Sequence, residues 1–387
     1  MDISYIINEL AEDREQYFNA VAPPIIQSSN FVFNTVASMR SAFADEYSTY
    51  LYSRGLNPTV DILRKKLAAL DNAEDCLVFN NGAAATFAAV LANVKAGDNI
   101  ISVDKPYTWA KKLFDKILPR FGITTTYIDG RSIQNFTKAI QPNTTLIYLE
   151  SPNSWDYALQ PLQAVALLAK AHHIVTIIDN SYCTPLYQKP IDYGIDLTLQ
   201  SATKYIGGHS DTLAGVLCGS KAMIEKIFNS EFNTIGSGIS PFNAWLIIRG
   251  LRTLPMRLQH ITHTTHLVLN YLNNHPKVAQ VLFPFDENFA QYTLAKQQMQ
   301  GACGLISFYI HTHDVNQIVA FCEHLQHIKM AVSWGGHESL IIPKCATIQP
   351  QYFNANNKDH RMLRLFVGLE EANYIIQDLE RGFEKIG

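Results

Sequence analysis

The segment from Ser201 to Lys204 places two hydroxyl groups and an amine at the end of an apolar run. Residues 195–199 are typical of a buried strand, and Gly207 and Gly208 then allow the backbone to turn sharply. The pKa of a lysine amine falls readily on desolvation, so Lys204 is suited to Schiff-base chemistry with an aldehyde cofactor. On its own, Ser-x-Thr-Lys would favour an exposed lysine after a strand, because such strings are common at strand ends.

A second segment has the form of an anion-binding turn. The apolar residues 76–79 predict a strand, Asn80-Asn81-Gly82 closes it, and an alanine-rich helix begins near Ala83. The first N–H groups of a helix have no partners inside the helix, and the helix dipole favours negative charge there. The turn is therefore a candidate phosphate site, and the alternative is a tight turn that binds nothing.

An acidic residue, Asp179, follows the apolar residues 175–178 and stands 25 residues before Lys204. A carboxylate at the end of a buried strand can keep a pyridine nitrogen protonated, and a protonated pyridine is an electron sink. Together with a lysine and two phosphate-binding segments, Asp179 indicates pyridoxal 5′-phosphate as the cofactor. Taken alone, Asp179 would be interpreted as a turn residue.

These groups converge only if the chain forms a parallel sheet. Apolar segments at 99–103, 125–128, 145–149, 175–178 and 197–201 alternate with helical segments at 109–118, 133–140 and 162–171. This alternation predicts crossover units and an α/β fold, in which a mostly parallel sheet lies between helices and binds ligands at its strand ends.

The sequence predicts three parts. Residues 1–57 show no clean periodicity and contain Pro23-Pro24, which indicates an apolar arm that packs on a neighbouring subunit. Residues 58–250 are predicted to form the large α/β domain, and residues 251–387 a smaller α+β domain. The strands of the smaller domain are expected at 305–310, 340–342 and 363–367, and its helices at 315–324 and 374–385.

Composition restricts the classes of partner. The chain has 387 residues, of which 47% are hydrophobic, so it can bury a large core. Its net charge is −3 and its Lys and Arg residues are scattered, which argues against a nucleic-acid surface or a basic membrane patch. The N-terminus lacks a basic start and an apolar core, and no apolar run approaches the ~18 residues that span a bilayer. We therefore expect a cytoplasmic protein with small-molecule partners.

Cysteine and histidine usage predicts no metal site. The six cysteines lie far apart without a Cys-x-x-Cys pair, so we expect reduced structural thiols rather than disulfides or zinc ligands. His260, His263 and His266 recur every third residue, but no acidic or cysteine ligand stands among them. This pattern favours a solvated helix face over a metal site.

Six motifs follow one another over almost the whole chain. They are Tyr52-Ser53-Arg54-x-x-Asn57-Pro58-Thr59, Glu150-Ser151-Pro152, Asp179-Asn180, Ser201-x-Thr203-Lys204-Tyr205 with Gly208-His209-Ser210-Asp211, Ser333-Trp334-Gly335-Gly336-His337-Glu338-Ser339-Leu340, and Leu365-x-Val367-Gly368-Leu369-Glu370. In order and approximate spacing they resemble the Cys/Met-metabolism enzymes of pyridoxal phosphate fold type I. The resemblance implies a large domain, an N-terminal arm and a smaller C-terminal α+β domain.

The resemblance also implies roles for residues around the cofactor. Lys204 would form the covalent link to pyridoxal 5′-phosphate, and Asp179 would pair with the pyridine nitrogen. Tyr107 matches a tyrosine that stacks on the ring and takes part in catalysis. The residues expected at the phosphate are Gly82, Ala83, Ser201 and Thr203.

Other matches concern the substrate and a second subunit. Arg364 matches the arginine that binds the substrate α-carboxylate, with Ser333 and Trp334 nearby, and the guanidinium fork suits that bidentate task better than an ammonium group. Tyr52 and Arg54 match residues that reach the phosphate of a neighbouring subunit. We therefore expect a homotetramer built from two dimers.

The implied reaction is carbon–sulfur bond cleavage in a small sulfur-containing amino acid. Within the family, we expect β-elimination of L-cystathionine to homocysteine, pyruvate and ammonia, a reaction of methionine biosynthesis. Val332 stands where the γ-branch has a glutamate, Ser154 replaces an asparagine of that branch, and Trp109 occupies the position of a methionine γ-lyase cysteine. The alternative is γ-chemistry: cystathionine γ-synthase or γ-lyase, methionine γ-lyase, or a homoserine-ester sulfhydrylase.

Two other classes of function fit less well. A nicotinamide dehydrogenase would need Gly-x-Gly-x-x-Gly after its first strand, and residues 80–85 do not have that form. A non-enzymatic regulator could keep the cofactor site, but it would not need Lys204, Tyr107 and Arg364 together.

Overall fold

The computed structural model describes residues 1–386, which divide into two compact units. The first unit comprises Met1–Asn153, Ala158–Gly207 and Asp211–Arg252. The second comprises Ser154–Tyr157, Gly208–Ser210 and the chain from Thr253 onwards. The three-part division at 1–57, 58–250 and 251–387 stays a prediction.

The first unit contains a seven-stranded sheet. Its strands are β1 (Asp75–Phe79), β2 (Asn99–Val103), β3 (Thr124–Ile128), β4 (Thr144–Glu150), β5 (Val175–Asp179), β6 (Leu197–Ser201) and β7 (Gly215–Gly219). Their order is β1-β7-β6-β5-β4-β2-β3, and β7 runs antiparallel to both neighbours while the other pairs are parallel. The carboxyl ends of β4, β5 and β6, which are Glu150, Asp179 and Ser201, therefore lie at one edge of the sheet.

Helices accompany this sheet in the predicted alternation. They are α1 (Ile3–Asn8), α2 (Val36–Ala44), α3 (Pro58–Leu70), α4 (Gly82–Leu91), α5 (Thr108–Lys112), α6 (Ile133–Ala139), α7 (Leu162–Ala171), α8 (Thr184–Tyr187), α9 (Lys221–Ile227) and α10 (Asn233–Ile235). A further helix, α11 (Pro241–Asn274), begins in the first unit and ends in the second. Alternate residues of β4 enter different cores: Leu146 and Tyr148 pack in one buried cluster, and Ile147 and Leu149 in another. Both faces of the sheet are thus covered, as a mostly parallel sheet requires.

The second unit contains a smaller sheet and shorter helices. Its elements are β8 (Val278–Leu282), α12 (Tyr292–Gln298), β9 (Leu305–Ile310), α13 (Val315–Glu323), β10 (Lys329–Met330), β11 (Leu340–Pro343), β12 (Leu363–Phe366) and α14 (Ala372–Phe383). The strand order is β10-β11-β12-β9-β8, and only the β10–β11 pair is parallel. On β12, Arg364 pairs directly with Ser307 of β9.

The structure confirms most of the predicted elements. Each strand expected in the large domain is present within one residue of its predicted ends. The sequence does not signal β7, because Gly215 and Gly219 bound a run too short to show a period. The predicted arm, whose sequence shows no clean periodicity, contains the helices α1 and α2.

The structure also bears on the predictions about disulfides, membrane-spanning helices and metal sites. Five of the six cysteines are buried, as expected of structural thiols, and none is joined in a disulfide within residues 1–386. Among residues 1–386, no helix combines the length and apolarity needed to cross a bilayer. Within the same residues, no three His, Cys, Asp or Glu side chains gather as metal ligands would. The cytoplasmic location stays a prediction.

A buried carboxylate follows α3 in the first unit. Asp71 is fully buried, and its Oδ2 accepts a hydrogen bond from Gln200 Nε2 at 3.3 Å. Within residues 1–386, its Oδ1 has no hydrogen-bond partner. Burial raises the pKa of Asp71 to about 7, against the opposing hydrogen bonds of Gln200 and Cys218. The charged form is therefore disfavoured in the folded protein.

This carboxylate predicts a pH dependence of stability. The folded state holds a proton on Asp71 that the unfolded state loses near pH 3.9, so the free energy of unfolding falls as pH rises from about 4 to about 7. Replacing Asp71 by Asn should remove this loss and stabilise the protein at pH 8 by a few kcal/mol, with about no effect at pH 4. Denaturant unfolding of both proteins at the two pH values checks this, and equal stabilities at pH 8 would contradict it.

Candidate active site

The acid and the amine lie at neighbouring strand ends of the first unit. Asp179 ends β5, and Lys204 lies in the turn after β6, where its N–H donates to Ser201 O at 3.1 Å. Burial raises the pKa of Asp179, while hydrogen bonds from Ser181 and the positive charge of Lys204 oppose the rise. The positive charge of Lys204 thus favours the ionised form of this carboxylate, and burial opposes it.

Ser181 connects the ends of these two strands. Its N–H donates to Asp179 Oδ1 at 2.9 Å, and its Oγ accepts the N–H of Ser201 at 2.7 Å. The Ser181 backbone N–H therefore orients the carboxylate, and its side chain fixes the start of the lysine turn. No sequence signal marked Ser181, because its role depends on the pairing of β5 with β6.

The N-terminus of α4 forms an anion-binding cradle. Asn81 Oδ1 accepts the N–H of Ala84 at 2.8 Å and Asn81 O accepts that of Ala85 at 3.3 Å. Among residues 1–386, the N–H groups of Gly82 and Ala83 make no hydrogen bond. Two amides at the positive end of a helix dipole are thus left for a negatively charged group.

Glycines allow this cradle to approach the lysine turn. A Cβ on Gly82 would lie 3.3 Å from Ser201 Cβ, and one on Gly215 of β7 would lie 2.3 Å from Asn81 O. Gly215 therefore has to lack a side chain for the α4 turn to sit beside β6. The cradle places Ser201 next to the free amides, whereas Thr203 Oγ1 accepts the N–H of Ala214 at 3.1 Å.

Tyr107 belongs to the same edge of the sheet. Its N–H donates to Glu150 Oε2 at 2.5 Å, which holds the residue before α5 against the end of β4. Burial and the negative charges of Asp179 and Glu150 raise the pKa of the Tyr107 phenol. Its hydroxyl is consequently protonated at neutral pH.

Tyr52 and Arg54 lie at the surface of the first unit. The Arg54 guanidinium lies 5.4 Å from the centre of the Tyr52 ring, and both residues are exposed. Arg54 forms no ion pair within residues 1–386. The structure thus leaves this cation accessible, and no hydrogen bond within those residues joins it to Lys204, Asp179 or Ser201.

In the second unit, Arg364 is a buried cation on β12. It is 7% exposed, and its Nη1 donates to Ser154 O at 2.9 Å. Its guanidinium carbon lies 4.6 Å from the centre of the Trp155 ring. A guanidinium held in this way is suited to bind a planar carboxylate.

Ser333 and Trp334 lie in a constrained loop of the same unit. Ser333 has a left-handed backbone with φ of 79°, and Trp334 is buried. The loop is anchored at its end, where the Ser339 N–H and Oγ donate to the Glu370 carboxylate at 2.8 and 2.7 Å. A non-glycine residue at such a φ costs backbone energy, so the position of Ser333 is specified by this loop.

The residues of the first unit fit pyridoxal 5′-phosphate. The two free amides of α4 and the Ser201 hydroxyl suit a phosphate, and Gly82 keeps the space between them open. Asp179 suits a pyridine nitrogen, and Lys204 offers an amine for an aldehyde. A cleft of about 400 Å³ in the second unit, lined by Val315, Cys322, Met330, Cys345 and Phe353 among others, contains none of the predicted site residues.

Comparison with known proteins covers the full length of the chain. The family described as Cys/Met metabolism PLP-dependent enzyme matches residues 5–384. The L-methionine gamma-lyase of Treponema denticola is 35% identical over 376 residues, which span 95% of this chain and 94% of that protein. The cystathionine gamma-lyase of Bacillus subtilis is 32% identical over 377 residues, which span 95% of each.

A solved structure is also similar to this chain. The crystal structure of cystathionine gamma-lyase from Lactobacillus plantarum complexed with L-serine matches with a TM-score of 0.91 at 34% identity. The match covers 100% of this chain and 99% of that chain. These similarities confirm the predicted fold type and cofactor. They favour the γ-chemistry alternative over the predicted β-elimination, because these relatives are γ-lyases.

Proposed function

The chain belongs to the Cys/Met metabolism PLP-dependent enzymes, and from that premise we propose that it catalyses γ-elimination from sulfur-containing α-amino acids. The observation that supports this most strongly is full-length similarity to methionine and cystathionine gamma-lyases. The substrate would carry a thioether sulfur on its γ-carbon, as L-methionine and L-cystathionine do, and this sulfur would leave as a thiolate.

The sequence-based prediction of β-elimination rests on single positions. Val332 was expected to remove a contact of the γ-branch, but its side chain is 76% exposed. Substrate choice is set by the whole pocket, so the identity of this one residue is a weak guide to the reaction. Trp109 is also exposed, and its ring lies 4.0 Å from the Lys112 amine.

Each of the predicted site residues in the first unit has a separate role in the proposed reaction. When bound, pyridoxal 5′-phosphate supplies an electron sink that stabilises negative charge at the substrate α-carbon. Asp179 keeps the pyridine nitrogen protonated, because a carboxylate stabilises the adjacent cation. Lys204 holds the cofactor in the resting enzyme, and its amine then removes the α-proton and moves a β-proton. The amides of Gly82 and Ala83 hold the phosphate.

Tyr107 is proposed to act as an acid. The phenol is protonated at neutral pH, because tyrosine ionises only near pH 10 and burial raises the Tyr107 pKa further, so the hydroxyl can donate a proton to the departing thiolate. In the second unit, Arg364 would bind the substrate α-carboxylate through its guanidinium fork, and Ser333 and Trp334 are proposed to contribute to substrate binding.

Incubation with L-methionine tests the proposed reaction. The cofactor-loaded protein should release 2-oxobutyrate, methanethiol and ammonia in equal amounts. No turnover of L-methionine, combined with pyruvate release from L-cystathionine, would contradict γ-elimination.

We also propose that two subunits share each site, in a homotetramer of two dimers. The arm exposes several large apolar side chains, including Phe18 at 100%, Val21 at 77% and Val32 at 94%. Large exposed apolar patches mark protein interfaces. The exposed Arg54 of this arm would bind the phosphate in the partner's site.

Mixing two inactive variants tests the shared site. Subunits with Arg54→Ala lack the donated cation, and subunits with Lys204→Ala lack the amine. Their mixed dimers contain one intact site, so exchange of subunits should restore up to about a quarter of the native activity. Mass spectrometry first has to demonstrate that the subunits exchange. If activity does not recover after that exchange, the proposal is contradicted.

A further inference from the structure

Trp155 contacts the arginine that is proposed to bind the substrate. The Arg364 guanidinium carbon lies 4.6 Å from the centre of the Trp155 ring, and Arg364 Nη1 donates to the preceding residue, Ser154, at its carbonyl. Both contacts lie within the second unit, to which the segment Ser154–Tyr157 belongs. The plane of the guanidinium is therefore set by an aromatic face and a carbonyl together.

The position of Trp155 is itself fixed by β9. Ser307 Oγ donates to Trp155 O at 2.7 Å, and Tyr157 Oη lies 3.0 Å from the same Ser307 Oγ. Ser307 and Tyr157 are fully buried, and Ser307 is the direct pairing partner of Arg364 across β9 and β12. The strand pair that carries Arg364 thus also anchors the ring that contacts it.

A second cation lies over the same ring. The Lys344 amine is 3.9 Å from the centre of the Trp155 ring, and the Lys344 N–H donates to Met362 O at 2.8 Å. The negative face of an aromatic ring attracts cations by about 0.5–2 kcal/mol, more when water is excluded. Trp155 therefore stabilises two neighbouring positive charges, of which Arg364 is the buried one.

We propose that Trp155 is a positioning residue for the substrate α-carboxylate. Its ring fixes the orientation of the Arg364 fork. The fork is therefore already immobilised when a carboxylate binds. Trp155 does not contact the reacting atoms in this account, and its effect depends on Arg364. The inference rests on the proposed function only in taking an α-amino acid as the substrate.

Binding of two small amines separates this role from general support of the fold. Glycine carries an α-carboxylate and methylamine does not, and neither has a side chain to eliminate. Their dissociation constants are measured on the cofactor-loaded protein from the change in its visible absorption. Trp155→Leu should weaken glycine binding about 5- to 30-fold and leave methylamine binding within about twofold.

Three further variants complete the comparison. Trp155→Phe keeps an aromatic face and should recover most of the glycine affinity. In protein that already carries Arg364→Leu, Trp155→Leu should have no further effect on glycine binding. Tyr127→Leu is the matched control. A lysine amine, that of Lys111, also lies 4.0 Å from the centre of the Tyr127 ring, but this ring is not a contact of Arg364.

Each other outcome overturns the proposal. Equal weakening of glycine and methylamine by Trp155→Leu would show a structural role only. If Arg364→Leu weakens glycine binding and Trp155→Leu does not, the ring does not position the fork. If neither change alters the preference for glycine, Arg364 is not the carboxylate site, and this result leaves the choice between β- and γ-elimination unaffected.

Discussion

Replacing Lys204 by alanine is expected to lower turnover by more than about 10³-fold and to remove the visible absorption of lysine-bound pyridoxal. The variant loses both the amine that holds the cofactor and the group that moves the substrate protons. Asp179 and the α4 cradle remain, so the protein should still bind pyridoxal 5′-phosphate reversibly. Absorption spectra and initial rates of the purified proteins measure both effects.

Lys221→Ala is the matched control for this change. Lys221 is an exposed lysine of the same unit at the start of α9, and its loss should change neither absorption nor rate. A Lys204→Ala protein that kept its absorption band and its turnover would remove Lys204 from the site.

Replacing Arg364 by leucine is expected to lower kcat/KM for an α-amino acid by about 10²- to 10³-fold. A buried fork is lost, and the substrate carboxylate then enters the site without a partner. Arg364→Lys keeps the charge but not the two parallel donors, so it should recover part of the loss. Initial rates over a range of substrate concentrations give these values.

Arg361→Leu controls for the loss of an arginine near the same strand. Its Nη1 also donates to a backbone carbonyl, that of Thr312, at 2.8 Å. Its kcat/KM should stay within about threefold of native. Equal losses in the Arg361 and Arg364 variants would point to damage of the strand rather than to a missing carboxylate partner.

Local sequence was sufficient to predict that the proposed cofactor-binding residues lie at one edge of the sheet in the first unit. The α4 turn, Asp179 and Lys204 each follow an apolar strand, and parallel strands bring their carboxyl ends to one edge. Periodicity therefore placed these residues together without knowledge of the strand order. The fold type followed from the same alternation and from the family motifs.

The supporting residues could not be predicted in this way. Ser181 acts through the pairing of β5 with β6, and Gly215 through the contact of β7 with the α4 turn. Trp155 acts through β9 and β12, which lie 150 or more residues further along the chain. Such contacts depend on tertiary pairing, which has no short-range signature in the sequence.

The predicted β-elimination is less well supported than the γ-chemistry alternative for a related reason. The prediction depends on a few side chains, among them Val332, Ser154 and Trp109, each taken as a substitute for a residue of the γ-branch. Substrate choice is set by the whole pocket, and single positions, of which Val332 and Trp109 are exposed, do not define it. Full-length similarity integrates many positions and favours γ-chemistry.

Cleavage of L-cystathionine tests the central claim most directly, because this substrate offers a carbon–sulfur bond to either reaction. The cofactor-loaded protein is incubated with L-cystathionine, and the keto acid and the thiol amino acid are identified by mass spectrometry. Proposed γ-elimination predicts 2-oxobutyrate with cysteine. Pyruvate with homocysteine would contradict it and restore β-elimination.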